Sequence, residues 1–145
     1  FDHFAVTYEF EDQTKLFHMS RQQSGTAGSY ECEVHGSKGF CSGKNRHAVI
    51  GENAWRYKGK SNNMYQTEHD ELFASIRKGE PINDGERAAN STLLAILGRM
   101  VIYTGKSITW EQVLNSKLDL TPPHYDLGKE LAVAPVAMPG VTKFV

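Results

Sequence analysis

The sequence predicts an α+β fold: an open, mainly antiparallel β-sheet of five or six strands, covered on one face by two or three helices, with an extended C-terminal tail. Three observations predict it. Over the first sixty residues apolar side chains alternate with period two, the spacing of a half-buried strand, and from Tyr65 onward the period lengthens to about 3.6, that of a helix. Beyond Leu120, Pro122, Pro123, Pro135 and Pro139 deny the chain regular structure and send it extended over the surface. A chain of 145 residues is the usual size of one domain, so one core is expected, burying about 70% of the unfolded surface.

The first strand shows Phe4, Val6, Tyr8 and Phe10 on one face and His3, Ala5, Thr7 and Glu9 on the other. Asp12-Gln13 turns the chain into Lys15 to Gln22, completing an antiparallel hairpin. Pairing across that turn sets Tyr8 opposite Phe17, Val6 opposite Met19 and Phe4 opposite Arg21, so that Arg21 closes a core face. His3, Thr7, His18, Ser20 and Gln22 then share the opposite face. After the loop Ser24 to Gly28, short strands are expected near Tyr30 to His35, Phe40 to Ser42, His47 to Ile50 and Ala54 to Tyr57. With Ser37 and Lys38 as a two-residue loop, Val34 lies opposite Cys41, and Cys32 is its diagonal neighbour. Diagonal positions sit roughly 7 Å apart, at the limit of disulfide geometry, so two buried thiols are expected. Zinc needs further ligands at suitable spacing, which the sequence does not supply.

Tyr65, His69, Leu72, Phe73 and Ile76 line one face of a first helix, with Asn62 or Asn63 as N-cap and Gly79 and Pro81 to end it. A second helix begins at Asn83 or Asp84 and ends at Gly105. Its stripe Ala89, Leu93, Ile96, Leu97 and Met100, with Leu94, Val101 and Ile102 outside the stripe, implies burial on more than one side. Gly98 inside it costs about 1 kcal/mol relative to alanine, which points to a close helix or strand contact. Ile108, Thr109, Gln112 and Val113 form a capping box with a hydrophobic staple, opening a short third helix from Trp110 to Lys117.

A hydrophobic share of 39% with 23% charged residues fits a folded domain rather than a disordered chain. Sixteen basic against seventeen acidic side chains, a net charge of -1, provide no field to attract nucleic acid or an acidic membrane surface. No window approaches the roughly 20 apolar residues of a membrane span. FDHFAVTYEF lacks the basic start and apolar stretch of a signal peptide and reads as a strand at once. Such an abrupt start suggests a chain cut from a longer one, so that any targeting segment is expected upstream of Phe1, and the compartment, cytoplasmic or exported, stays open.

HGSKGF at His35 to Phe40, YQTEHDELFASIRKGEPINDGE at Tyr65 to Glu86, STLLAILGRMVIYTGKSITWEQVLNS at Ser91 to Ser116 and APVAMPGVTKF at Ala134 to Phe144 together carry a family resemblance. Across nearly its whole length the chain resembles the C-terminal domain of the Gfo/Idh/MocA oxidoreductases, the group of glucose-fructose oxidoreductase and inositol dehydrogenase. The resemblance implies a parent enzyme with an N-terminal Rossmann domain, which this chain lacks, and hydride transfer between a sugar or polyol and NAD or NADP. It places the Glu-Lys-Pro lysine and the acid-base histidine upstream of Phe1, so no catalytic or cofactor-binding residue is assigned here and the chain alone is expected to be inactive. The residues agree: Gly25, Gly28, Gly36 and Gly39 lie between strands, not between a strand and a helix as a dinucleotide fingerprint needs. Gln13 departs from the family, whose members tend to have glycine in that hairpin, and leaves the turn type open.

Three residues are substrate-side candidates. His69 either reaches the substrate region or is a core histidine satisfied by a hydrogen bond. Tyr65 either binds a sugar hydroxyl or simply packs. Arg21 either holds a substrate or cofactor anion or makes a structural ion pair. His3, Thr7, His18, Ser20 and Gln22 are either solvent-exposed or, as the resemblance implies for the open sheet face, an interface in a homo-oligomer. Glu68, Asp70 and Glu71 read as the solvated face of a helix start. Neither Gly-x-Ser-x-Gly nor Cys-Gly-x-Cys occurs, so hydrolase chemistry has no support. The rival class is a free-standing ligand-binding or assembly module that has lost its catalytic half; an upstream Gly-x-Gly-x-x-Gly region in the same reading frame distinguishes the two.

Overall fold

The computed structural model describes residues 1–43 and 47–145 and shows an α+β protein. Among the described residues there are six strands, β1 (His3–Glu9), β2 (Lys15–Arg21), β3 (Glu33–Gly36), β4 (Gly39–Ser42), β5 (Ala48–Gly51) and β6 (Trp55–Arg56). Three helices follow, α1 (Met64–Lys78), α2 (Gly85–Thr104) and α3 (Trp110–Leu114). The α+β class is the one expected, with its strands divided between two antiparallel sheets, β1-β2 and β3-β4-β5-β6. The chain clusters into two compact units: unit 1 is Phe1–Gln23 with Asn83–Val145, and unit 2 is Ser24–Ile82.

In unit 1, α2 lies over β1, and α3 packs on α2. Leu97, Met100 and Val113 form the buried cluster, with Tyr8, Leu93, Val101, Ile108 and Phe144 packed against it. Gly98 supplies the close approach its position predicts. A Cβ there would stand 2.1 Å from the Tyr8 hydroxyl, so only glycine leaves room for the phenol, which donates to the Leu94 carbonyl at 3.2 Å. At the N-terminus of α3, Thr109 accepts from the Gln112 amide at 3.2 Å while the Gln112 side chain accepts from the Thr109 amide at 2.8 Å, the expected capping box. The tail beyond α3 has no helix or strand, and its end folds back. Gly140 N donates to Thr104 O at 2.8 Å, and Val145 O accepts from Lys117 N at 3.2 Å.

The hairpin of unit 1 corrects the predicted pairing. Val6 pairs with His18, Phe4 with Ser20 and His3 with Arg21, one residue out of the expected register. The loop holds three residues, Glu11 to Gln13, not two. Phe10 N donates to Thr14 O at 3.0 Å and Gln13 N to Phe10 O at 2.9 Å, with Gln13 itself at φ 69. Such a loop is a turn closed by one left-handed residue, the position where glycine is cheapest. The Asp12 carboxylate steadies it by accepting from Thr14 N at 2.9 Å. Because side chains alternate with period two, the added loop residue turns every β2 side chain to the other face. His18 and Ser20 therefore join Phe4, Val6 and Tyr8, while Phe17, Met19 and Arg21 join His3, Ala5 and Thr7.

In unit 2 the register is as predicted, with Gly36 opposite Gly39 and Val34 opposite Cys41. Cys32 and Cys41 are free thiols, yet both are exposed rather than buried; among the described residues no helix of unit 2 packs on the β3–β4 hairpin. α1 is bounded as expected. The Asn63 side chain accepts from Tyr65 N and Gln66 N, and Gly79 ends the helix in the left-handed conformation at φ 71. Its basic Arg77 and Lys78 lie at the negative end of the helix dipole. Among the described residues, α1 packs on none of the strands of its unit, and Tyr65, Leu72, Phe73 and Ile76 of its apolar stripe are exposed.

Candidate functional site

The reversed face of β2 reorganises the candidate residues of unit 1. Facing away from α2 are His3, Ala5, Thr7 and Glu9, paired with Arg21, Met19, Phe17 and Lys15. Phe17 and Met19 at its centre are 67% and 76% exposed. Glu9 and Lys15 close one end with an ion pair at 3.0 Å, and at the other end His3 Nδ1 meets Asp2 Oδ1 at 2.8 Å. That hydrogen bond holds the Asp2 carboxyl below the usual carboxylate range. Thus the five residues expected to share this face are split: His3 and Thr7 lie on it, whereas His18 and Ser20 face α2 and Gln22 continues their side of the strand. Gln22 N extends the pairing by donating to Asp2 O at 2.7 Å. Arg21, expected at the end of the core face, instead stands beside His3 on the open one.

The other face forms a cleft of about 480 Å³ within unit 1, between the hairpin and α2. Phe4, Tyr8 and His18 line the strand side, and Ser91, Arg99 and Tyr103 the helix side. Phe4 and His18 rings lie 5.9 Å apart. The Arg99 guanidinium sits over Tyr103 at 4.7 Å, and Phe1 stacks on Tyr103 at 5.1 Å. Two of the three hydroxyls in its lining have structural work: Ser91 donates to Arg87 O at 2.9 Å, and Tyr8 donates to Leu94 O. Partial burial pushes the Tyr8 phenol above its usual value. The cleft is therefore a largely apolar, ring-lined space with His18 and Arg99 in its lining, and among the described residues no hydroxyl in it is hydrogen-bonded to a basic side chain. Sequence reasoning placed Tyr8 on the core face and Gly98 at a close contact; it had no signal that the two meet.

In unit 2, Tyr65 and His69 stand one turn apart on α1. The His69 Nδ1–H donates to the Tyr65 carbonyl at 2.7 Å, which fixes the ring on its own helix. His69 is exposed, so the buried-histidine alternative gives way to a surface imidazole. Tyr65 is also exposed. The Gln66 amide donates to Asp70 at 2.8 Å, placing Asp70 on the solvated face as expected.

The helix starts do not suit a pyrophosphate. At α1 the first amides are occupied by Asn63, and at α2 the carboxylates of Asp84 and Glu86 oppose a second negative charge. Asp84 pairs with Arg87 at 2.9 Å, which lowers its pKa. Among the described residues no three His, Cys, Asp or Glu side chains group as metal ligands, and no helix is long and apolar enough to cross a membrane. Compared with known proteins, the chain matches no family model, no curated protein and no solved structure.

Proposed function

We propose that this chain is the substrate-side and oligomerisation domain of an NAD(P)-dependent oxidoreductase of the Gfo/Idh/MocA type, acting on a sugar or polyol and inactive by itself. The observation that carries this reading is the surface left uncovered. The chain exposes 13018 Å², whereas two independent globules of the sizes of the two units would together expose about 9,000 Å². Much of the excess is apolar, including Phe17, Met19, Leu72, Phe73 and Ile76. Surface of this kind belongs to a piece that other protein covers. The resemblance of four segments to the oxidoreductase domain supports reading that protein as a Rossmann domain in cis and further copies of the chain.

The reading assigns the open hairpin face, now His3, Thr7, Phe17, Met19 and Arg21, to contact between copies. Catalysis and NAD or NADP binding fall to residues upstream of Phe1. Calorimetry of the chain with NADH and NADPH is expected to show no binding; micromolar affinity for either sinks the proposal. Sedimentation is expected to show self-association that Phe17→Glu with Met19→Glu abolishes. Unchanged mass in that variant removes the interface assignment and leaves the cofactor test standing.

A further inference from the structure

Cys32 and Cys41 form a thiol pair that neither the fold nor the proposed function uses. Cys41 is fixed in β4, flanked by Val34 of β3 and Val49 of β5. Cys32 lies one residue outside β3, where its carbonyl accepts from Gly43 N at 3.1 Å and so prolongs the ladder. With Val34 opposite Cys41 and Cys32 opposite Gly43, the two thiols share one face as diagonal neighbours. Gly43 has no side chain, and a Cβ built on it would meet only the Cys32 carbonyl at 3.7 Å. Among the described residues no side chain stands directly across from Cys32, and its neighbours on that face are Val34 along the strand and Cys41 on the diagonal. Both cysteines are exposed and unbridged, and Val34 beside them is 66% exposed, so an oxidant reaches the pair without unfolding.

From this arrangement we infer that Cys32 and Cys41 are a reversible oxidation site, closing to an intramolecular disulfide with hydrogen peroxide as the oxidant. Diagonal Cα atoms lie roughly 7–8 Å apart and a disulfide spans at most about 6.8 Å, so Cys32 has to move about 1 Å toward β4. Its position just before Glu33, the first residue of the edge strand β3, permits that. One thiolate attacks a peroxide oxygen, breaking the O–O bond and giving a sulfenic acid and water. The second thiol then attacks the sulfenic sulfur, forming the S–S bond and expelling a second water. Two sulfurs are each oxidised by one electron and two peroxide oxygens are reduced. A bridge that asks its backbone to shift is also one that a dithiol reductant reopens readily, which separates a switch from a structural disulfide. Closed, it ties the start of β3, a strand exposed along its whole length, to the middle of the sheet.

The inference is independent of the oxidoreductase reading. The test is to treat the folded chain with hydrogen peroxide in small excess, count free thiols, map peptides by mass, then add dithiothreitol. The expected result is loss of both thiols together, a Cys32–Cys41 peptide short of two hydrogens, slower amide exchange at Val34 and His35, and full recovery on reduction. In Cys32→Ser and in Cys41→Ser the remaining thiol is expected to pass to sulfinic acid and not recover. Independent oxidation of the two thiols in the parent chain, or cross-linking only between chains, overturns the inference.

Discussion

Both units contain a long helix and antiparallel strands, yet the two helices are held by different forces. α2 in unit 1 presses Leu97 and Met100 into a cluster with Val113 and receives Tyr8 from β1 at Gly98. α1 in unit 2 carries an equally clear apolar stripe, but among the described residues it packs on no strand of its unit. What bounds α1 is local: the Asn63 cap, the Gly79 stop and the basic last turn. The comparison teaches that amphipathic periodicity states which face a helix offers and leaves open whether anything accepts it.

The largest expected difference comes from equal truncations in the two helices. Leu97→Ala should destabilise unit 1 by about 2–5 kcal/mol, since it opens a cavity in a packed cluster. Leu72→Ala, at a side chain 45% exposed, should cost under about 1 kcal/mol. Urea unfolding of both variants compares them directly; equal losses would mean that α1 is covered after all.

A smaller effect isolates the strand contact. Gly98→Ala should destabilise by about 1–3 kcal/mol through collision with the phenol. In a Tyr8→Phe background, where the hydroxyl is gone, the same change should become neutral or gain up to about 1 kcal/mol from helix propensity. If Gly98→Ala costs the same in both backgrounds, Tyr8 is not what requires the glycine.

Cap removal sharpens the contrast at about 1 kcal/mol each. Asn63→Ala should raise amide exchange throughout α1, which has little else to hold it. Thr109→Ala should leave α1 unchanged and lower the unfolding midpoint of unit 1. Exchange in α1 that ignores Asn63→Ala would show that packing, not capping, sustains that helix.

The smallest expected effect is a pH limb belonging to unit 1. The folded state holds Tyr8 neutral, so its pKa is raised by burial. Its contribution is complete below the unfolded tyrosine value of about 10 and is lost as pH rises from there through the folded pKa, because only the unfolded chain has released the proton. Stability measured between neutral pH and about pH 11 should therefore fall more steeply in the parent than in Tyr8→Phe. Identical limbs would remove the phenol as its source.

How much of this was legible depended on the range of the interactions. Caps, stops and the Ser37-Lys38 turn were readable because each is settled by a few consecutive residues. Thr109 and Gln112 satisfy one another across one turn, and Gly36 opposite Gly39 follows from two loop residues alone. The first hairpin was misread because Asp12-Gln13 has the composition of a two-residue turn, whereas Gln13 takes a left-handed conformation more usual for glycine. That single backbone angle moved His18, Ser20 and Arg21 across the sheet and with them most of the candidate interface. The cysteines were placed in the right pairing and the wrong environment, since register is local to a hairpin and burial is not.

By itself the sequence determined the α+β class, the ends of α1 and α2, the capping box of α3 and the pairing of β3 with β4, because period, propensity and capping act within a turn or two of chain. Tertiary structure alone decided that Gly98 receives Tyr8, that the strands among the described residues divide into two sheets, and that Phe17, Met19, Cys32 and the stripe of α1 are exposed. Those outcomes rest on contacts between residues distant in sequence, and no local pattern encodes whether such a partner is present.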